Sequence, residues 1–272
     1  MNSIEKKMLT ILKELKSSFN AVSVKAEFEA EGTRIDELYR LVHIARIANL
    51  KIGLKIGGCE AISDLMMSKQ IGVDYIIAPM IESPYAVGKY IEAKNKVYSQ
   101  EEQLDTEFLF NIETVSGFEN LKSILDKASC KKNGLDGVVF GRVDFTGSLG
   151  LSRDNITDRK ITNYAIEVGL AAKKNSLDYV VGGAVSIDTI ESLKEIHEHY
   201  LSRFETRKII FDANVLKIKD IEEGLILAVH FELLWLLNKR DYYQVITDED
   251  NKRIEMLESR WKVLSRDDIK IK

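Results

Sequence analysis

FLFNIETVSG (residues 108–117) and GVVFGRVDFTGSLG (residues 137–150) each contain an apolar run of strand length that closes on a carboxylate, Glu113 in the first and Asp144 in the second. Between them Phe118, Leu121, Ile124 and Leu125 recur at helical spacing, which predicts a crossover helix joining two parallel strands. Adjacent parallel strands joined in this way deliver their C-terminal ends to one edge of the sheet, where β/α folds keep their chemistry. Two carboxylates meeting there point to a divalent-metal site.

Working outward, the same strand-then-helix plan repeats. Strands are predicted within 21–32, 52–58, 73–82, 179–185 and 207–214, and helices over 35–49, 60–70, 84–96, 158–175 and 187–199. Pro84 fits the first position of its helix, where a missing N–H costs nothing. Seven strands alternating with helices leave a closed barrel or an open doubly wound sheet. No early Gly-x-Gly-x-x-Gly follows a strand, which disfavours a dinucleotide fold. The expected fold is therefore α/β, a (β/α)8 TIM barrel over residues 1–219, entered by a helix at 4–17. Its eighth strand should be short, hidden near the entry helix or around 213–218. Residues 220–272 read as a C-terminal helical extension, with one strongly apolar helix over Gly224–Leu237 and a second over 246–264. A barrel needs only one closing helix. The surplus apolar surface predicts either a cap on the barrel base or a homo-oligomer joined through these helices.

Composition narrows the partners. A net charge of −4 gives no basic surplus to neutralise a phosphate backbone, so nucleic acid is not the expected partner. The apolar run at 224–237 is broken by His230 and Glu232 and is too short to span a bilayer, so no membrane insertion is expected. The N-terminus has no signal-peptide core. Two cysteines, Cys59 and Cys130, are too few for a disulfide framework and point to a reducing, cytoplasmic setting.

Several side chains should join Glu113 and Asp144 at the rim. Period-two alternation puts Lys25, Glu27 and Glu29 on one face of the first strand. Lys55 closes the second strand among apolar neighbours, where an inward ammonium needs a partner such as a bound carboxylate substrate or Glu29. Burial beside another carboxylate would raise Glu27 or Glu29 towards neutrality and suit it to proton transfer; a solvated acidic loop running on to Glu31 is the alternative. A desolvated Lys25 or Lys55 would open a Schiff-base route instead. Arg142 is expected to hold a substrate carboxylate or orient Glu113. Glu82 and Asp212 follow strands and should face the same rim. The pairs Gly57–Gly58 and Gly182–Gly183 end strands there, where backbone amides can approach an anion, although tight turns account for them equally well.

The segments Asn111-Ile-Glu113-Thr114 and Phe140-Gly-Arg142-Val-Asp144-Phe-Thr146, with Gly150 beyond and Ala78-Pro-Met-Ile-Glu82 before, together resemble the HpcH/HpaI aldolase and citrate lyase β-subunit superfamily. The resemblance is good over 52–150 and looser over 20–214. It implies a phosphoenolpyruvate/pyruvate-type barrel in which Glu113 and Asp144 bind Mg²⁺ (or Mn²⁺). The ion would hold a pyruvate-like or oxaloacetate-like substrate and stabilise an enolate as a carbon–carbon bond breaks or forms; some members take acyl-CoA substrates. The resemblance also exposes departures. Lys55 stands where family members usually carry arginine, trading a bidentate fork for a point charge. The Asp-Gly-Glu-His stretch of the simple aldolases is replaced by Glu27-Phe-Glu29-Ala-Glu31-Gly32, with no histidine base. The expected function is a divalent-metal carbon–carbon lyase or aldolase acting on a small carboxylated substrate. The alternatives are another metal-enolate reaction in a specialised biosynthetic pathway, or a non-catalytic barrel subunit that binds a carboxylate.

Overall fold

A computed structural model describes residues 1–130, 133–217 and 221–267. Eight strands close a barrel in sequence order: β1 (Ala21–Glu27), β2 (Lys51–Lys55), β3 (Tyr75–Ala78), β4 (Glu107–Ile112), β5 (Gly137–Gly141), β6 (Asp178–Gly182), β7 (Arg203–Glu205) and β8 (Ile209–Asp212). Helices over Ile35–Ile47, Ile62–Ile71, Pro84–Val97, Leu121–Ala128, Arg159–Lys174 and Ile190–His199 fill the crossovers between the first seven strands. This is the TIM-type barrel that the alternating pattern predicts.

One strand departs from the pattern. β1 to β7 run parallel, whereas β8 is antiparallel to both β7 and β1. The missing strand is β7, three residues long and immediately before the stretch read as the seventh. It turns through Thr206–Lys208, where the Thr206 amide donates to the Ile209 carbonyl at 2.9 Å, and returns as β8. A hairpin thus replaces the last crossover. Asp212 consequently lies at the opposite end of the barrel from the other strand-end carboxylates, where it accepts hydrogen bonds from the Asn214 amide and side chain. Its expected place at the rim is corrected by the reversal of one strand.

The barrel interior is narrow and apolar in the middle, where Tyr75, Ile77, Leu109, Val139, Val180 and Ile210 form their own cluster. Below it, buried Arg203 donates to Glu107 and Asp178, both at 2.8 Å, and lies 4.5 Å from the Tyr75 ring centroid. One guanidinium thereby ties β4, β6 and β7 together at the base. The larger core lies between strands and outer helices and includes Phe108, Phe110, Phe140 and Phe204.

The entry helix (Ser3–Phe19) is capped by Asn2, whose side chain accepts from Glu5 while Glu5 reaches back to the Asn2 amide, the reciprocal arrangement of a capping box. It packs antiparallel on a closing helix that is one continuous element, Ile221–Asp267, rather than the two expected. A Cβ at Gly224 would lie 2.8 Å from Phe19, and Asn2 donates to Asn238 at 2.7 Å, so the pair is in contact from base to rim. Leu225, Ala228, Phe231, Leu234 and Trp235 bury one face of the closing helix on the barrel. Beyond Trp235, Asn238 is buried against Asn2, and Lys239 (3.0 Å) and Tyr243 reach Glu37, before a run over 244–262 in which every residue is exposed. The closing helix runs up the side of the barrel beside the entry helix to the cavity, where Val229 and Glu232 line the wall, rather than across the base as a cap.

Arg203→Ala should lower the unfolding free energy by about 2–4 kcal/mol, because it strands two carboxylates that are half-shielded from water. Urea denaturation at neutral pH measures it.

Candidate active site

Strand register sets the site. Ile112 of β4 pairs with Phe140 of β5, which brings Glu113 level with Gly141. A Cβ at Gly141 would lie 2.8 Å from Glu113 Oε2 and 2.9 Å from its Cβ, so glycine is needed for this carboxylate to lie across the end of β5. Asp144 follows in the first turn of a short helix (Arg142–Ser148), where an acidic side chain complements the helix dipole. Both line one cavity of about 360 Å³ at the C-terminal end of the parallel strands.

Glu113 is almost fully buried and closely held. Its Oε1 accepts from the Met80 amide at 2.9 Å; its Oε2 accepts from Asn111 at 2.6 Å and from Lys55 at 3.2 Å. The same Lys55 ammonium lies 3.2 Å from Glu29 Oε2. Asp144 has none of these supports. Burial and then the neighbouring Glu113 charge raise its carboxyl above the usual aspartate range.

A second charged wall faces the first. Lys25 bridges Glu205 and Glu27, at 3.2 Å from the latter, and Arg207 approaches Glu27 at 3.9 Å and Glu31 at 3.1 Å. Gly182 leaves the space Glu205 occupies, since a Cβ there would lie 2.9 Å from Glu205 Oε1. Gly183 combines φ +85° with the Val143 amide 2.7 Å from where a Cβ would stand, so only glycine fits.

Lys25, Glu27, Glu29, Lys55, Glu113, Asp144, Gly182 and Gly183 therefore meet in one cavity. Other expected members stand elsewhere. Arg142 is 1% exposed and does not line the cavity; its Nε and one terminal nitrogen donate to the carbonyls of Gly182 at 3.3 Å and Gly183 at 3.0 Å. Desolvation lowers it to about 10, and its contacts tie the end of β5 to the end of β6 rather than reach into the cavity. The Gly57 amide is taken by Asp64 at 2.7 Å, and Gly58 lies outside the cavity with it, so this pair forms a turn and not an anion cradle. Glu82 also lies outside; it accepts from Thr114 at 2.7 Å, next in sequence to Glu113.

Charge states differ from expectation as well. Burial alone would raise Glu27, but Lys25 outweighs it and holds the carboxyl below its ordinary range. Burial alone would lower Lys55, but Glu113 and Glu29 more than reverse it; Lys25 is likewise raised, against its own burial, by Glu205 and Glu27. Both amines are held as ammonium ions, the opposite of what a Schiff-base nucleophile requires.

Asn111, Glu205 and Arg207 escaped the sequence reading. Asn111 was legible, being two residues before Glu113 and so on the same strand face. Glu205 sits in a strand too short to carry a period.

Carboxylates and an ammonium thus converge on the end of the barrel where β/α folds keep their chemistry. The model of the HpcH/HpaI aldolase/citrate lyase family matches residues 33–198, and the chain belongs to that family, which is generally divalent-metal dependent. Solved structures agree on the fold. An HpcH/HpaI aldolase from Desulfitobacterium hafniense DCB-2 is 16% identical with a TM-score of 0.57, covering 79% of this chain and 86% of its own. An HpcH/HpaI aldolase/citrate lyase family protein from Burkholderia cenocepacia J2315 is 12% identical with a TM-score of 0.59, covering 85% and 100%. The citrate synthase SbnG is 16% identical with a TM-score of 0.56, covering 82% and 89%. No functionally curated protein matches the sequence. No helix among the described residues is long and apolar enough to cross a membrane. The family match takes in Lys55, Glu113 and Asp144 but stops short of β1, its following loop and the hairpin after β7, which carry the second wall.

A raised carboxyl means that the native state binds the Asp144 proton more tightly than the unfolded chain, so native stability falls as pH rises through that pKa. In the presence of a chelator, Asp144→Asn should melt above the parent protein at pH 8, and the gap should close as pH falls through the raised carboxyl pKa. Thermal melts across pH 4–8 measure both.

Proposed function

We propose that this chain is a divalent-metal-dependent carbon–carbon lyase or aldolase acting on a 2-oxo acid or a related carboxylated substrate. The supporting observation is the convergence of Glu113 and Asp144 on one cavity, with Lys55 beside them. Their chemistry fits the metal. Asp144 is a solvent-exposed carboxylate whose carboxyl is raised by partial desolvation and by Glu113, a repulsion that a cation would relieve. An all-oxygen donor set suits a hard ion such as Mg²⁺ or Mn²⁺. Bound there, the ion supplies Lewis-acid polarisation of the substrate's keto oxygen and offsets the negative charge that develops on it.

The chain's own residues supply the rest. Lys55, kept protonated by its two carboxylate neighbours, grips the substrate carboxylate as a point charge. Glu29, the more open of those neighbours, exchanges a proton with the reacting carbon or its departing partner, the role left vacant by the absent histidine. Glu27, held ionised by Lys25, accepts a hydrogen bond from a substrate hydroxyl or from water. A cavity of about 360 Å³ takes a substrate of a few carbons; were the substrate an acyl-CoA, the nucleotide would lie outside it. Cys59 and Cys130 are free thiols in the fold, which supports a cytoplasmic setting.

Proton exchange at the methyl group of pyruvate in D₂O, followed by NMR, tests the reading. Exchange should require Mg²⁺ or Mn²⁺ and be lost in Glu113→Ala; metal-independent exchange, or undiminished exchange in that variant, would contradict it. Glu29→Gln should cut the rate about 10²–10⁴-fold with little change in KM. Lys55→Met should chiefly raise KM. Steady-state kinetics separate the two.

A further inference from the structure

Lys208 is a buried ammonium that the chemistry of the cavity does not use. It follows Arg207 in the turn between β7 and β8, is 2% exposed, and does not line the cavity. A cation this deep is costly unless paired. An apolar side chain of similar volume would fill the same space beside the Trp235 ring, 5.8 Å away, without that cost. What the lysine gains is a partner from another element. Its Nζ donates to Glu31 Oε2, and Arg207 Nε donates to Glu31 Oε1 at 3.1 Å. Lys208 also holds β1 by its main chain, where its carbonyl accepts from the Lys25 amide at 2.8 Å.

Glu31 belongs to the loop 28–34, which joins β1 to the first outer helix. Backbone bonds tie this loop near its two ends. The Phe28 amide donates to the Lys55 carbonyl at 2.8 Å, and the Thr33 amide to the Glu27 carbonyl at 3.2 Å. From Glu29 to Gly32 no backbone hydrogen bond joins the loop to the barrel among the described residues. Side chains hold its middle instead. Glu29 reaches Lys55 at 3.2 Å, and Glu31, two residues on, is clamped by Lys208 and Arg207. Glu31 is the more enclosed anchor, with 12% of its side chain exposed against 28% for Glu29. It is also the one that survives binding. A substrate carboxylate on Lys55 competes with Glu29 for the same ammonium, and Glu31 then keeps the loop at the rim.

We propose that Glu31 and Lys208 are positioning residues, a latch that fixes the β1 loop on the hairpin and keeps Glu29 at the reacting carbon once substrate has claimed Lys55. This rests on the proton-transfer role given to Glu29. It also gives the reversed strand a use in catalysis, since the hairpin is what brings Lys208 to the loop.

The test uses the full chain with Mn²⁺ and follows methyl exchange of pyruvate in D₂O. Lys208→Met and Glu31→Gln should each lower kcat about 10–10²-fold, the cost of displacing a catalytic group by a small distance, with KM for pyruvate little changed. In a Glu29→Gln background neither should lower kcat further, because the residue they act through is already lost. Amide hydrogen exchange of the Mn²⁺-loaded protein with saturating pyruvate should be faster across 28–33 in both variants and unchanged in β4 and β5. Glu31→Gln, at a site partly open to water, keeps the test valid if Lys208→Met folds poorly. Losses that multiply with that of Glu29→Gln, a change confined to KM, or loop amides as protected in the variants as in the parent would overturn the latch and leave the metal reading standing. Undiminished exchange in Glu29→Gln alone would overturn the proton-transfer role and the latch with it.

Discussion

The Lys55 ammonium, 3.2 Å from Glu113 and 3.2 Å from Glu29, is the contact on which the charged rim depends. Removing one partner of a buried ion pair costs about 3–5 kcal/mol, so neither the lysine nor Glu113 is stable here alone. The pairing lets a barrel with an apolar middle keep a carboxylate almost fully buried at its end. It also keeps the lysine charged, and therefore ready for an anionic substrate. Asp144, exposed at the edge of the same cavity, has no such hydrogen-bonding partner among the described residues and is raised by desolvation and by the Glu113 charge.

Reversal of β8 shapes the other side of the cavity. In a barrel of eight parallel strands a βα loop would follow β7 at the rim. Here a tight hairpin puts Glu205, Thr206 and Arg207 directly over the opening, and Lys25 ties Glu205 back to β1. The closing helix then passes this hairpin and contributes Val229 and Glu232 to the cavity wall. The portion of the chain that matches its family carries Lys55, Glu113 and Asp144, while the flanking portions build the enclosure. Substrate selection is accordingly expected from β1, the hairpin and the helix rather than from β4 and β5.

Sequence and structure agree where periodicity is strong. β4 and β5 are continuous apolar runs separated by apolar residues at helical spacing, so the positions of Glu113 and Asp144 at one edge were readable before any coordinates. Strand direction was not. Residues 207–214 look the same to a period-two reading whether the strand runs up or down, and β7, with three residues, gives no period; Asp212 was misplaced for that reason. Arg142 and the Gly57–Gly58 pair were misassigned because a sequence cannot say whether a donor is already taken, here by the Gly182 and Gly183 carbonyls and by Asp64. Glu27 was expected to be raised by a neighbouring carboxylate, but its nearest charge is Lys25, two residues back on the same face. The single long helix was divided in two because its polar middle resembles a loop.

The central claim is that two acidic side chains from adjacent strands hold one cation. A crystal grown or soaked with Mn²⁺ and measured at a wavelength giving manganese anomalous signal tests it most directly. The account predicts a single strong peak in the cavity with carboxylate oxygens of both Glu113 and Asp144 at about 2.1–2.2 Å, a distance typical of small divalent ions on oxygen. A peak bound to only one of them, or no peak at saturating Mn²⁺ with the two carboxylates turned to different faces, would contradict it.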